Sequence, residues 1–346
     1  MENFSLEKIK TLSQIEAKAY LIKYFVPLSN GNHAMLINGK YEVKEDNEVK
    51  KTYFNRISKE LYNYYFKEYT QIKTITYKLN QPIFFDDKIN LCPKMKHSYK
   101  PFKEFSKDIQ DKVQIVLDFI HEIWCPNKKE SYNFCIKWLA NMIQGNKNNS
   151  VLYLKSVQGT GKSTITTFLK EHVLGNELSL ESGSEPLKSK FNSILGGKVL
   201  VIFEELENFS TAEWQTVDSV LKRNTTSKYI TLQSKGVDSY ETENLNNYIL
   251  NSNNEAIKDE AGRRIFPLEI NTKHIGNKEF FNNIYRNCFN DEVGHAFFCY
   301  LMEISTKDFN PQDFPENQNK SDAIVKRLDS TYQFLKDMFI FKENIN

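Results

Sequence analysis

A glycine-rich segment between an apolar run and a helical pattern constrains the fold of this chain more than any other feature. The apolar run covers residues 151–154, and the helical pattern covers residues 163–174. Glycines allow the backbone to curl so that successive N–H groups point at phosphate oxygens, and the N-terminus of a helix adds partial positive charge. The segment therefore predicts a phosphate-binding loop on an α/β scaffold.

The loop contains the residue types that a nucleoside triphosphate requires. Lys162 is placed to reach the β- and γ-phosphates, and the hydroxyl group of Ser163 is placed to hold Mg²⁺. The usual pattern begins with glycine where this chain has Ser156, which costs little if the φ angle there is negative. We therefore expect ATP and Mg²⁺ to bind here. The predicted ATP-binding residues are Ser156, Val157, Gln158, Gly159, Thr160, Gly161, Lys162, Ser163 and Thr164.

Two further apolar runs follow the loop, at residues 199–203 and 248–250. Runs without polar alternation are typical of strands buried in a parallel sheet. Before the loop, residues 105–145 contain two apolar stripes at helical spacing, which predict a pair of helices. Strands that alternate with helices indicate the α/β fold class.

Polar side chains follow the second and third apolar runs. Because ligands of α/β sheets bind at the carboxyl ends of strands, Glu204 and Glu205 are expected beside the phosphates. We expect Glu204 to orient the metal, together with Ser163, and Glu205 to polarise an attacking water. Asn253 follows the third run and can hydrogen-bond both the γ-phosphate and that water, although asparagine also favours simple turns.

Two adjacent arginines, Arg263 and Arg264, come shortly after the third run. An arginine can stabilise charge on a transferring phosphoryl group, often from a neighbouring subunit, although either arginine alone is more typical of a surface ion pair. The predicted catalytic residues are Lys162, Glu204, Glu205, Asn253, Arg264 and Arg263.

As an ordered set, these motifs resemble the superfamily 3 helicases of viruses, phages and plasmids, which have an AAA+-type ATPase core. The resemblance is closest to the poxvirus-type primase-helicase and phage or plasmid replication-protein branch, and it covers roughly residues 105–305. It implies an AAA+-like P-loop core and favours Arg264 over Arg263 as the arginine that acts on a neighbouring subunit. The matching segments are 159–163, Glu204-Glu205, Ser252-Asn253 and Arg263-Arg264-Ile265.

The same resemblance implies a DNA-contacting β-hairpin, and residues 229–240 fit it. Lys235 at the tip would then meet a DNA phosphate in the channel of a ring, although an ordinary surface hairpin is an equal alternative. The implied partners are single-stranded DNA and further copies of the chain in a homo-oligomeric ring, expected to be a hexamer. A primase or other replication proteins are further expected partners.

Composition limits the remaining classes of protein. Lys and Arg number 46 against 44 Asp and Glu, a net charge of +2, so nucleic-acid binding must come from a local patch or an assembled ring. Five cysteines without a CxxC pair argue against a zinc ribbon or a disulfide framework and favour a reducing compartment. No run approaches the ~20 apolar residues of a membrane span. We therefore expect no membrane partner and a cytoplasmic location, in the host cell if the protein is viral.

We expect four regions along the chain. They are an N-terminal region of unknown role with mixed α+β patterns (1–100), a helical bundle (101–147), a superfamily 3 ATPase core (148–275) and a C-terminal helical region (276–346). The predicted function is an ATP-dependent replicative DNA helicase that translocates on single-stranded DNA. The alternatives are a protein-remodelling AAA+ ATPase and a nucleotide-binding adaptor for origin recognition or packaging.

Overall fold

The computed structural model describes residues 3–126, 128–204, 211–236, 238–252 and 264–315. The chain forms two compact units, each assembled from separate stretches of sequence. The first unit comprises Met1–Lys94, Ser189–Gly197 and Ser227–Leu245, and the second unit comprises Met95–Lys188, Lys198–Thr226 and Asn246–Asn346.

The helices are distributed over both units. In chain order they are α1 (Leu6–Thr11), α2 (Gln14–Tyr24), α3 (Asp46–Thr52), α4 (Lys59–Asn63), α5 (Lys107–Phe119), α6 (Lys129–Ile143), α7 (Lys162–Phe168), α8 (Glu185–Lys188), α9 (Thr211–Thr226), α10 (Lys278–Cys288) and α11 (Asp291–Glu303). Short 3₁₀ or π-helical turns occupy Phe54–Arg56, Tyr64–Glu68, Phe102–Glu104, Ile120–Trp124, Leu169–Leu174 and Ser193–Leu195.

Within the described residues, the strands form two small sheets, one hairpin and one larger sheet. In chain order they are β1 (Phe25–Pro27), β2 (His33–Ile37), β3 (Lys40–Lys44), β4 (Thr74–Thr76), β5 (Phe84–Phe85), β6 (Lys88–Asn90), β7 (Val151–Lys155), β8 (Ser179–Ser182), β9 (Leu200–Glu204), β10 (Tyr229–Leu232), β11 (Tyr240–Glu243), β12 (Asn247–Ser252) and β13 (Ile265–Glu269).

The first unit is built from short elements around an aromatic core. Its sheets have the strand orders β1-β2-β3 and β4-β6-β5, and β10 pairs with β11 as an antiparallel hairpin. The local pattern of residues 20–25 predicts a strand, but residues 20–24 belong to α2. The reason is a capping box at the start of α2, where Ser13 and Glu16 each bond the other's backbone and so favour the helix.

The second unit is organised by a five-stranded sheet of order β13-β7-β12-β9-β8, in which every adjacent pair is parallel. The three apolar runs predicted to be strands are β7, β9 and β12, so the α/β prediction is confirmed. Their side chains are almost fully buried, as expected for a parallel sheet that is covered on both faces. The finer prediction of an AAA+-like core stays a prediction.

Helices α5 and α6 confirm the two helices predicted before the loop. The apolar stripe of α5 and of the turn that follows it is buried, which explains its helical spacing. Helix α7 begins directly after the glycine-rich segment, as predicted. In the part of the chain that the structure describes, no helix is both long enough and apolar enough to cross a membrane. Residues 316–346 of the predicted C-terminal helical region lie outside the described residues.

Candidate functional site

The carboxyl ends of three neighbouring strands bring the predicted loop and the acidic strand end together. Strand β12 lies between β7, which leads into the loop, and β9, which ends at Glu204. The register pairs Asn251 with Glu204 on one side and Ser252 with Lys155 on the other. Because the three strands are parallel, their ends lie at one edge of the sheet, which is where α/β sheets bind ligands.

Two glycines give the loop its curled conformation. Gly159 has φ 81° and Gly161 has φ 86°, values that side chains other than glycine rarely adopt. Gly161 is also the N-cap of α7, so the free N–H groups of that helix face the loop. The φ angle of Ser156 is not positive, which explains why serine is tolerated where the usual pattern has glycine.

The ammonium group of Lys162 lies across the mouth of the loop. Its Nζ atom donates to the carbonyl oxygen of Ser156 at 2.8 Å and to that of Ser252 at 3.2 Å. The backbone N–H of Ser156 also donates to the Ser252 oxygen, at 3.2 Å. A bound phosphate would offer this cation a charged acceptor, and charge-assisted hydrogen bonds are about twice as strong as neutral ones.

Ser163, Glu204 and Asn251 form an oxygen-rich cluster beside the lysine. The hydroxyl of Ser163 lies 3.5 Å from Glu204 Oε1, and the Nδ2 atom of Asn251 lies 3.5 Å from that hydroxyl and also donates to Glu204. Within the described residues, the Oδ1 atom of Asn251 is buried without a hydrogen-bond partner. Oxygen ligands suit Mg²⁺, which is usually held by one or two carboxylates together with phosphates and waters. The residues present therefore fit a magnesium ion.

Burial raises the pKa of Glu204. The nearby carboxylate of Glu181 acts in the same direction, whereas the hydrogen bond from Asn251 and the charge of Lys162 oppose it. A carboxylate that is costly to ionise when alone gains most from a bound cation. Among the described residues, no three His, Cys, Asp or Glu side chains lie close enough together to hold a metal ion by themselves.

Asn251 is a site residue that the sequence analysis missed. The motif led to Asn253, two positions later, which lies outside the described residues together with Glu205 and Arg263. The available signal was that Asn251 is the first polar residue after the apolar run of β12, but only the strand register shows that it lies beside Glu204.

Three of the other predicted residues lie in different surroundings. Thr164 is buried in the first turn of α7, where its N–H donates to the Gly161 oxygen at 3.1 Å. Arg264 immediately precedes β13, and its oxygen accepts from the N–H of Val151 at 2.7 Å. It therefore lies at the amino edge of the sheet, roughly 15 Å from the loop of its own chain. Lys235 lies in the exposed turn of the β10–β11 hairpin, in the first unit.

The chain is similar to parts of known proteins. A family model described as "Family of unknown function (DUF5906)" matches residues 154–264, which include the loop. A DNA primase-polymerase of Nitratiruptor phage NrS-1 is 24% identical over 234 residues, which are 67% of this chain but only 31% of that protein. The chain thus spans about a third of the length of the curated relative that it matches.

Solved structures show the same fold. One apo structure of the NrS-1 C-terminal region matches 90% of this chain and 74% of its own length, with a TM-score of 0.66 and 19% identity. A second apo structure of that region matches 92% of this chain and 76% of its own length, with a TM-score of 0.66 and 20% identity.

These matches correct the predicted function. The similar proteins are a phage primase-polymerase and the C-terminal region of NrS-1, so the prediction of a distinct ATP-driven replicative helicase is wrong. The resemblance to superfamily 3 helicases is not shown, and neither alternative function gains support. The motifs misled because they specify phosphate binding, and one kind of phosphate-binding loop can serve different activities.

Proposed function

We propose that this chain is a nucleotide-binding part of a phage DNA-replication protein with primase-polymerase activity, an enzyme of nucleotidyl transfer. The observation that carries the proposal is the meeting of Lys162, Ser163 and Glu204 at the carboxyl edge of three adjacent strands. The likeness to the NrS-1 primase-polymerase and to its C-terminal region supports assigning the site to that activity.

The ligand of the site is a nucleoside triphosphate with Mg²⁺, and ATP is one such ligand. The N–H groups of the loop and the Nζ atom of Lys162 bind the phosphate oxygens. Ser163, Glu204 and Asn251 would hold the cation, which neutralises charge on the phosphates when it is bound. Glu205 and Asn253 stay proposed members of the same site, whereas Arg264, at the opposite edge of the sheet, is proposed to act only on the site of a neighbouring copy of the chain.

Single-stranded DNA is the proposed second ligand, because a replication protein must hold its template. Lys235, at the exposed tip of the β10–β11 hairpin, is the proposed phosphate contact. Replacing Lys235 should weaken binding to DNA of every sequence by a similar factor. The slope of log affinity against log salt concentration should become shallower by about one unit. Self-association into a ring is a further proposal, which a mass measurement with and without nucleotide tests directly.

Calorimetric titration with ATP and Mg²⁺ tests the nucleotide site. Lys162→Ala should bind ATP at least about 100-fold more weakly, because the cation on the phosphates is lost. Its melting temperature should stay within about 2 °C of the original, since the loop carbonyls can bind water instead. The matched control is Lys107→Ala, an exposed lysine of α5 that pairs with Asp111 at 2.7 Å. Equal affinity of Lys162→Ala and the unmodified protein would contradict the proposal.

A synthesis assay tests the activity. The protein is incubated with a single-stranded DNA template, labelled nucleotides and Mg²⁺, and the products are separated by length. We expect labelled product from the unmodified chain and from Lys107→Ala, and none from Lys162→Ala. Product from Lys162→Ala at the original rate would remove the loop from the reaction. An unmodified chain that binds ATP but makes no product would show that nucleotidyl transfer does not belong to this chain.

A further inference from the structure

Aromatic side chains lie against the side of the phosphate-binding loop that faces β13. Strand β7 has β12 and the oxygen-rich cluster of Ser163, Glu204 and Asn251 on one side and β13 on the other. The chain leaves β13 next to the loop, since Glu269 pairs with Lys155, and it then leads into α10. We use the name aromatic cluster for Phe119 of α5, His274, and Phe280 and Phe281 of α10.

The aromatic cluster touches the loop directly at Gly161. An atom at the Cβ position of Gly161 would lie 2.4 Å from Cε1 of Phe281 and 3.1 Å from Cζ of Phe119. The absence of a side chain at this glycine thus brings the Phe281 ring onto the backbone that curls around the phosphates. Gly159, which has a similar φ angle, has nothing within 4 Å of its Cβ position.

Within the aromatic cluster, Phe280 stacks on two other rings. His274 stacks on it with ring centroids 3.7 Å apart and 5° between the planes, and Phe119 stacks on it at 5.6 Å and 19°. His274 is itself fixed by Glu122, whose Oε1 atom lies 2.8 Å from Nε2. Phe280 therefore already has two stacking partners within the protein.

Phe281 is the ring that remains able to stack. It meets Phe280 at 84° and Phe119 at 66°, so both contacts are steep rather than stacked. Among the described ring contacts, none is a stack on Phe281. The side chain is half-buried, whereas Phe119 is buried. Phe281 thus combines contact with the loop, fixed orientation and partial exposure.

The position of the oxygen-rich cluster determines which way a bound nucleotide points. The γ-phosphate end of the nucleotide, together with the metal ion, belongs beside Glu204 and Asn251, on the β12 side of the loop. The nucleoside then leaves the loop toward the β13 side. We propose that Phe281 stacks on the base of the bound nucleoside triphosphate, while Phe280 is a positioning residue for it. This inference rests on the proposed function.

Stacking predicts the class of base that the site accepts. Every nucleobase has a π-face, so an aromatic platform contributes to affinity with little selection among bases. We expect ATP, GTP and CTP to bind within about tenfold of one another, and all of them more tightly than inorganic tripolyphosphate, which has no base.

The test is calorimetric titration of the full chain with ATP and, separately, with inorganic tripolyphosphate, both with Mg²⁺. Phe281→Leu keeps an apolar side chain against Gly161 but removes the ring. It should weaken ATP binding by about tenfold and leave tripolyphosphate binding unchanged. Phe281→Trp should restore ATP binding. The control is Tyr285→Ala, an exposed aromatic residue one turn later on α10, which should change neither affinity.

Each of the other possible results contradicts one specific part of the proposal. If the unmodified chain binds ATP and Phe281→Leu binds it equally well, the base site lies elsewhere and the proposed function stands. If Phe281→Leu loses ATP and tripolyphosphate affinity by the same factor, the ring acts on the shape of the loop and the stacking role is wrong. If the unmodified chain binds neither probe, the proposed function itself fails.

Discussion

The two edges of the five-stranded sheet both bury polar side chains, but they use them differently. At the amino edge, Lys147 Nζ donates to the oxygens of Asn224 and Asn246 at 3.0 and 2.8 Å. Next to it, the side chain of Asn148 donates to Trp138 O at 2.9 Å and accepts from Asn141 at 2.8 Å. These polar groups satisfy one another within the protein.

At the carboxyl edge, the same kinds of group are only partly satisfied by the protein. Ser163 and Glu204 are 3.5 Å apart, a long hydrogen bond, and Asn251 Oδ1 has no partner in the described parts of the chain. A buried polar atom without a partner costs about 1–3 kcal/mol, so a ligand that supplies the partner gains that amount. In the proposed function, the paired groups around Lys147 and Asn148 stabilise the fold, whereas Ser163, Glu204 and Asn251 bind a ligand.

The largest expected effect comes from exchanging Lys147 and Lys162 for methionine. Lys147→Met leaves two buried carbonyl oxygens without their donor, so the free energy of unfolding in urea should fall by about 3 kcal/mol. Its ATP affinity should change less than about twofold. Lys162→Met should do the reverse, with little change in stability and a loss of ATP affinity of at least about 100-fold. If both variants changed stability and ATP affinity in the same way, the proposed distinction between the two edges would be wrong.

Glycine substitutions sharpen the description of the carboxyl edge. Gly161→Ala must strain a φ of 86° and also displace Phe281, so we expect a loss of about 2 kcal/mol in unfolding free energy. In Gly159→Ala only the backbone is strained, because nothing lies near the added Cβ atom. The unfolding free energy should therefore fall by about 1 kcal/mol. Thermal melting of both variants measures the difference, and equal losses would mean that Phe281 moves aside without cost.

The pH dependence of stability isolates the amino edge. Burial lowers the pKa of Lys147 to about 7, whereas lysine in an unfolded chain has a pKa of about 10.4. Between these values the unfolded chain binds more protons, so this residue makes the unfolding free energy rise with pH. From pH 7 to 8.5 the unmodified protein should gain about 2 kcal/mol relative to Lys147→Met. A difference that stays constant over this range would mean that Lys147 titrates normally.

The smallest expected effect concerns the unused oxygen of Asn251. Asn251→Ala should weaken ATP binding by about tenfold when Mg²⁺ is present and hardly at all in the presence of a chelator, because the lost atom belongs to the cation site. Asn148→Ala, at the opposite edge, should lower stability and leave the Mg²⁺ dependence unchanged. If Asn251→Ala has the same affinity with and without Mg²⁺ as the unmodified chain, the asparagine does not contact the cation.

Local patterns predicted most of the site-bearing elements correctly. The apolar runs became β7, β9 and β12, and the helical stripes became α5 and α6. The choice between Asn251 and Asn253 was beyond a local pattern, because it depends on the pairing of β12 with β9, and the two strands are more than forty residues apart. The predicted activity was wrong because the motifs predict only how phosphate is held and not which reaction uses it.

The sequence alone determined the α/β class, the loop and the start of α7, since glycine freedom, apolar runs and helical spacing act through near neighbours along the chain. Tertiary structure decided the strand order β13-β7-β12-β9-β8 and the inclusion of Ser189–Gly197 and Ser227–Leu245 in the first unit. It also placed Phe281 against Gly161. These arrangements depend on contacts between residues that are far apart in sequence. Packing and hydrogen bonding between such residues select the arrangement, and local backbone preference does not.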